Sequence, residues 1–435
     1  MASPRTIGVG LLGLGNVGAG VVKLLADGGA ALEQRFGARF ELRKIAVRDA
    51  DRPRAVDVPR ALITTKIDEV VDHPGCDVVV EVMGGDGAAK DAVLRALERG
   101  RHVVTANKFL LAEHGDLVFD TARKAGAGVY FEAAVCGGVP VIRALREGLV
   151  ADRIAAFQGI VNGTSNYILS TMAQADRPPF ERVLADAQAA GYAEADSSFD
   201  VDGIDAAHKL AVLLRVVFGA RVRAKDLLVE GLRSLQPIDF TYAERFGHVI
   251  RPLVIARQHA DGLEARVHPT LVPRRWMLAS VSGVHNALYV QSEALGNSMY
   301  YGRGAGMMPT AVAVLSDLVE VARDVLAGTA DRAVRALPES QDLPLRPAGK
   351  LRSRYYLRFT VADRPGVLGE LARVLGEHDV SISELHQDPG STPGPVPIVV
   401  LTHEALESQV RAALQRIDLL PTCACLLYTS PSPRD

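Results

Sequence analysis

Thr6-Ile-Gly-Val-Gly-Leu-Leu12 runs straight into Gly13-Leu14-Gly15-Asn16-Val17-Gly18, and a helical pattern of Val21, Val22, Leu24 and Leu25 follows. An apolar run, a glycine turn and three-to-four apolar spacing together make a strand–turn–helix unit. Within it Gly13 permits the tight turn, Gly15 lets a pyrophosphate approach the backbone, and Gly18 lets helix pack on strand. Phosphates would rest on the helix N-terminus, where free N–H groups and the helix dipole favour anions. The stretch therefore predicts a dinucleotide site built from residues 13–18.

Moving outward, the second strand pattern, 40–47, ends in Arg48-Asp49, with Arg52 and Arg54 close behind. An acid at this place binds the ribose hydroxyls of NAD, whereas an arginine pairs with the 2′-phosphate of NADP. Arg48 favours NADP; Asp49 next to it leaves NAD open. Strand and helix patterns then alternate: 77–81 into Met83-Gly-Gly85, helix 88–99, strand 102–105, helix 110–125. That alternation predicts a doubly wound parallel sheet, the Rossmann-type α/β arrangement. Ligands bind such sheets beyond the strand C-termini, which makes Thr105 and Lys108, in Thr105-Ala-Asn-Lys108, candidate site residues. A further strand, Val129-Tyr-Phe131, leads into Glu132-Ala-Ala-Val-Cys-Gly-Gly-Val-Pro140, an irregular turn whose carbonyls hold a cation or simply redirect the chain.

At 435 residues the chain needs two to four domains. Its 49 Lys and Arg nearly balance 51 Asp and Glu, which argues against nucleic acid or an anionic membrane as partner. No signal segment opens the chain, and no apolar run approaches a spanning helix. Four scattered cysteines form neither a disulfide framework nor a zinc motif, which fits a reducing cytoplasm.

Past about residue 150 the period changes. An apolar run, 154–161, ends in Asn162-Gly-Thr-Ser-Asn-Tyr167, helices follow at 167–175 and 180–190, and then comes a stretch that places Glu194, Asp196, Asp200, Asp202 and Asp205 ahead of Lys209. Leu210, Leu213, Leu214 and Val217 make the end of this stretch helical, so Asp205 and Lys209 share one face of its first turns. A calcium loop fails here, because its bidentate position would be Lys209. A solvated i,i+4 salt bridge is the plain alternative, worth about 0.3–0.5 kcal/mol. A site for an amino-bearing substrate, with acids for an ammonium and a lysine for a proton, uses the flanking acids as well. Further on, Tyr301-Gly302-Arg-Gly-Ala-Gly306 precedes a helix from about 309 to 326 and reads as a loop-to-helix turn or as a glycine loop over a cofactor. Residues 328–353 read as a proline-rich linker, and 354–420 follow a ferredoxin-like order of strands and helices.

The glycine turn, Ala46-Val-Arg-Asp49, Thr105-Ala-Asn-Lys108, Glu132 to Pro140, Gly159-Ile-Val-Asn-Gly-Thr-Ser-Asn166, Gly191 to Lys209, and Gly302-Arg-Gly-Ala-Gly306 resemble, in order, the homoserine dehydrogenase family. The C-terminal unit resembles an ACT domain. The resemblance implies a nucleotide domain over 1–135, an α+β substrate and dimerisation domain over 136–327 whose 302–327 segment returns to the nucleotide domain, the linker, and the ACT domain over 354–420, separable by truncation after about residue 327. It also implies NAD(P)-linked interconversion of L-aspartate 4-semialdehyde and L-homoserine, on the route to threonine, methionine and isoleucine. Lys209 would be the proton donor and acceptor, and Lys108 would lie near the nicotinamide and the reacting oxygen. Asp205 would orient the substrate and Lys209, Glu194 would grip the ammonium, and Asp200 would be a lesser substrate contact. Gly302 would join the cofactor contacts. A monovalent cation, sodium in the family, would be held around Glu132, Val135, Gly137 and Val139. Threonine is the implied effector, and a homodimer or homotetramer the implied assembly. Nothing precedes the nucleotide fold, so no fused kinase is expected. Two departures stand out: Ser197 replaces the family's usual proline, and 421–435 reads as adapter or vector read-through and is set aside from the fold.

Overall fold

The computed structural model describes residues 5–329, 332–387 and 394–429. The chain divides into two compact units: Met1–Ala155, His208–Asp226 and His285–Leu343 form the first, and Ala156–Ala207, Leu227–Val284 and Pro344–Asp435 the second.

In the first unit six strands pair in the spatial order Ile63–Thr64, Ala38–Ala46, Arg5–Leu12, Val78–Glu81, His102–Thr105, Val129–Tyr130, with every pair parallel. Chain order reverses beside Arg5–Leu12, so the helices leave the sheet in opposite directions there and open a crevice at the strand ends. Leu12 faces Ala46 on one side and Glu81 on the other, which brings three strand C-termini to one edge of that crevice. Helix Met307–Ala327 returns to this sheet: its Ala311, Val314, Leu318 and Val321 are buried in one core with Val9, Leu11, Val80 and Val104.

The second unit holds a four-strand run in the order Ile154–Ile160, His248–His259, Gly262–Pro273, Leu228–Val229. Helices Gly163–Met172, Phe180–Ala189 and Pro237–Arg245 supply much of its core, through residues such as Leu169, Val183 and Phe240. A separate antiparallel sheet orders Ile382–Gln387, Pro395–Thr402, Tyr356–Ala362, Cys423–Thr429. Successive strand residues point to opposite faces, and here both faces are buried. Leu357, Phe359 and Val361 pack with helices Val367–Glu377 and Glu407–Ile417, whereas Tyr356, Val399 and Leu401 join the core of Phe240, Tyr242 and Leu271. Asp239, fully buried, accepts from Tyr356 Oη and Arg358 Nε at 2.8 Å each, which fastens the same face.

Two stretches depart from the sequence reading. The proline-rich stretch is ordered where it is described: Arg332–Arg335 is helical, Gln341 bridges to Ala220, Leu345 bridges to Leu263, and Arg352–Ser353 pairs with Ala405–Leu406. Cys423–Thr429, set aside as read-through, is the fourth strand of the ferredoxin-like sheet, paired antiparallel to Tyr356–Ala362. Strand pairing runs through the main chain, so it does not depend on a family-like sequence. Residues 430–435 lie outside the described residues.

Candidate functional site

The nucleotide turn is built as its glycines require. Gly13 has φ +102°, and a Cβ on Gly18 would stand 2.2 Å from the Gly13 carbonyl oxygen. Gly15 differs: a Cβ there would meet no protein atom within 4 Å. No protein neighbour demands a glycine at 15, so its bareness serves whatever approaches from outside. Gly15 also starts helix Asn16–Phe36 without a side-chain cap, which leaves first-turn N–H groups for an anion. A cavity of about 400 Å3 adjoins the turn, lined by Gly13, Gly15, Asn16, Arg48 and Arg52 among others.

The arginines after the second strand divide into two kinds. Arg54 donates to the carbonyls of Asp49, Ala50 and Arg52, and Arg60 to the Ala50 carbonyl and the Asp51 carboxylate, so both hold the loop in shape. Arg48 and Arg52 are exposed at the cavity. The Asp49 carboxylate turns back to accept from Asp51 N at 2.9 Å, an internal use that competes with ribose binding.

Sequence reasoning passed over Glu81 and Asn107, which tie the strand ends together. Glu81, fully buried, accepts from Met83 N, Gly84 N and, at 2.6 Å, from Thr105 Oγ1. Thr105 in turn accepts from Asn107 N, so its side chain is spent within the protein. Asn107 caps helix Lys108–Ala125 through Leu110 N and donates to Gly85 O at 2.7 Å. Lys108, half-buried, is thereby set at the first position of that helix. His208 packs on Phe109 with ring centroids 5.2 Å apart, and its Nε2 stands 3.7 Å from Glu113. The helix that carries Lys209 therefore touches the one that carries Lys108 at the residues next to each lysine.

Glu132 lies at the start of the irregular turn, and its carboxylate is already used: it accepts from Ile142 N and Arg143 N. Burial pushes that carboxyl up, while those two N–H groups pull it back. Cys136 and Gly137 both have positive φ, at 58° and 51°. Gly138 N donates to Arg303 O, which binds the turn to the glycine-rich segment at 302–306. A Cβ on Gly302 itself would stand 3.1 Å from Val139, so tight packing within the protein also asks for a small residue there.

In the second unit the structure sorts the acidic stretch. Asp196 accepts from the Ser198 hydroxyl and N–H, which hold it below the usual carboxylate range. Asp202 pairs with Arg233 at 2.6 Å. Glu194 is exposed, and its backbone and that of Ala195 are held by Gln188 Nε2 at 3.1 and 3.2 Å. Asp200 and Asp205 each accept from Asn162. Asp205 is 3% exposed in the first turn of helix Ile204–Phe218, and half-buried Lys209 follows one turn later. An acid and a lysine one turn apart along a helix can orient a polar group and exchange a proton.

Among the described residues no helix is long and apolar enough to cross a membrane, and no cluster of His, Cys, Asp and Glu could hold a metal ion. The chain matches three protein-family profiles: the homoserine dehydrogenase NAD-binding domain over residues 13–132, homoserine dehydrogenase over 140–319, and the ACT domain over 355–419. It is 43% identical to a homoserine dehydrogenase of Neisseria gonorrhoeae over 420 residues and 43% identical to one of Pseudomonas aeruginosa over 421, with 96% of each chain covered in both cases. The crystal structure of a homoserine dehydrogenase from Thiobacillus denitrificans superposes with a TM-score of 0.91 at 42% identity over 98% of both chains. With full-length likeness of this order and a nucleotide turn shaped for an outside ligand, the chain belongs to the homoserine dehydrogenase family of NAD(P)-dependent oxidoreductases.

Proposed function

We propose that the protein interconverts L-aspartate 4-semialdehyde and L-homoserine with NADP in preference to NAD, in the cytoplasm, on the route to threonine, methionine and isoleucine. The observation that carries this reading is the pair Asp205 and Lys209, one turn apart on a helix whose start buries the acid. When bound, the nicotinamide cofactor would supply or accept the hydride at substrate C4. Lys209 gives its proton to the alkoxide oxygen during reduction and takes it back during oxidation, and Lys108 supplies a second positive charge toward that oxygen. Asp205 orients the substrate and Lys209, Glu194 grips the substrate ammonium, and Asp200 supports both. Residues 13–18 hold the pyrophosphate, and Arg48 takes the 2′-phosphate. The test is NADPH oxidation by the purified protein: rapid turnover of L-aspartate 4-semialdehyde is expected, and a faster rate with an unrelated aldehyde would overturn the assignment.

The same reading extends to the remaining parts. Residues 1–135 serve as nucleotide domain, 136–327 as the catalytic and dimerisation part, and 354–420 as the sensor. The carbonyls of Glu132, Val135, Gly137 and Val139 form an all-oxygen donor set suited to sodium. The positive φ at Cys136 and Gly137 supports this by breaking the regular run of the backbone, although Val139 O also accepts Val141 N. Threonine is the effector, received at the loop Asp363-Arg-Pro-Gly366, where Gly366 takes φ +94°, in an assembly of at least two chains. An intact enzyme that ignores millimolar threonine would remove the sensor role.

A further inference from the structure

The segment Asn162-Gly-Thr-Ser-Asn166 has so far received no role. Asn162 follows strand Ile154–Ile160 and caps helix Gly163–Met172, with its Oδ1 accepting from Ser165 N at 2.8 Å. Its Nδ2 donates to Asp200 Oδ1 and to Asp205 Oδ2, both at 2.7 Å. All three polar functions of one 5%-exposed amide are thus spent, one on a helix start and two on carboxylates that lie 38 and 43 residues further along the chain. Ser165 Oγ adds a bond to Asp200 O at 3.0 Å, so the capped turn holds the Asp200 main chain as well as its side chain.

The chemistry of the donor matters. The two N–H bonds of a planar amide diverge by about 120°, so acceptors on both stand about 5 Å apart. Two carboxylates at that distance repel, and a cationic clamp would relieve the repulsion by neutralising them. An amide fixes their positions without adding a charge of its own. We propose that Asn162 is a positioning residue, one that clamps Asp200 and Asp205 so that Asp205 meets substrate and Lys209 in a single geometry. The proposal rests on the catalytic reading of Asp205 given above.

The substitution Asn162→Asp separates this role from helix capping. Aspartate is nearly isosteric and caps as well as asparagine does, but it lacks both donors and sets a third carboxylate beside the other two. Asn162→Ser keeps a capping oxygen, lacks the donors and adds no charge, and it carries the test if the aspartate variant fails to fold. We expect kcat for homoserine oxidation to fall about a hundredfold in Asn162→Asp and about tenfold in Asn162→Ser, with NADPH affinity and the melting temperature of the serine variant near wild type. Because Asn162 acts through the acids, Asn162→Ser combined with Asp200→Asn should lose less than the product of the two single losses, whereas independent structural damage would multiply. Asp205→Ala is run beside them. If Asp205→Ala is crippled while both Asn162 variants keep kcat within twofold, the positioning role is overturned and the site reading stands. If Asp205→Ala itself keeps most of its activity, the site reading falls, and this proposal with it.

Discussion

Helix Met307–Ala327 and the stretch from Glu194 to Asp205 both gather carboxylates, and they treat them in opposite ways. On the helix, Asp317, Glu320 and Asp324 are 2–3% exposed; Glu320 and Asp324 are saturated by partners, whereas burial pushes the Asp317 carboxyl well above the usual carboxylate range. Glu320 meets Arg143, Arg146 and Arg332 at 2.8, 3.2 and 3.1 Å, Asp324 accepts from Tyr130 Oη and Arg332 Nε, and Asp317 accepts from Glu132 N. In the acidic stretch Asp200 and Asp205 are held by a neutral amide, and Glu194 stands exposed. Glu320 and Asp324, set among guanidinium groups, brace the fold, whereas Asp200 and Asp205 are set in place by an amide and Glu194 faces solvent.

The largest effect expected from this contrast lies on its chemical side. Lys209→Ala should lower kcat by about 10²–10⁴-fold, the usual worth of a general acid–base group, with NADPH affinity near wild type. Steady-state kinetics beside cofactor titration checks this, and a variant that keeps more than a tenth of kcat would show that another group moves the proton. The structural side should answer differently. Glu320→Ala removes an acceptor shared by three arginines, each of which keeps another partner in Ser316, Glu147 or Asp324, and should cost about 1.5–3 kcal/mol of stability, the worth of hydrogen bonds to a charged group, with kcat of the folded protein within twofold. Chemical denaturation with activity on the same sample tests this; lost turnover at unchanged stability would erase the distinction.

Glu230 sharpens the comparison as a half-buried carboxyl whose charged form is disfavoured. Burial, and then the Glu407 carboxylate, push it up to about 7, while Arg411 and Arg266 pull the other way. Between about pH 4.5 and pH 7 the folded chain keeps a proton that the unfolded chain releases, so stability should fall as pH rises through that window. The single-group contribution is at most about 3 kcal/mol. Comparing denaturation at pH 5 and pH 8 should show a drop in wild type that shrinks in Glu230→Gln; an identical drop in both would assign the dependence to other groups.

The smallest effect is expected at the nucleotide pocket. Arg48→Asp should lower the ratio of kcat/KM for NADP over NAD about tenfold, since it removes a phosphate partner and supplies a ribose acceptor. An unchanged ratio would shift the phosphate to Arg52, the other exposed arginine at that cavity.

The nucleotide half was legible because its signals are local. A strand, a glycine turn and a helix sit within about twenty residues, and the alternation repeats. The sorting of the acids was not legible, since the amide that joins Asp200 to Asp205 lies some forty residues upstream and nothing in its spacing points to them. Glu81 went unnoticed for a related reason, because its partners join the turn after its own strand to Thr105 at the end of the neighbouring strand. The ferredoxin-like module was recognised, but its attachment was missed. Tyr355, Tyr356, Leu357 and Phe359 form a nearly continuous apolar run, the mark of a strand buried on both faces. That run was a readable warning against a freely separable module: truncation after about residue 327 would strip Tyr356, Val399 and Leu401 from the core around Phe240 and Tyr242.

The most direct measurement of the central claim compares kcat/KM for L-aspartate 4-semialdehyde with that for succinate semialdehyde, which lacks the amino group, in wild type and in Glu194→Gln. If the acidic stretch receives the substrate ammonium, wild type should prefer the amino substrate by about ten- to a hundredfold, in line with the loss of a charged hydrogen bond, and Glu194→Gln should narrow the gap. Equal use of the two aldehydes by wild type, or an undiminished preference in Glu194→Gln, would contradict it.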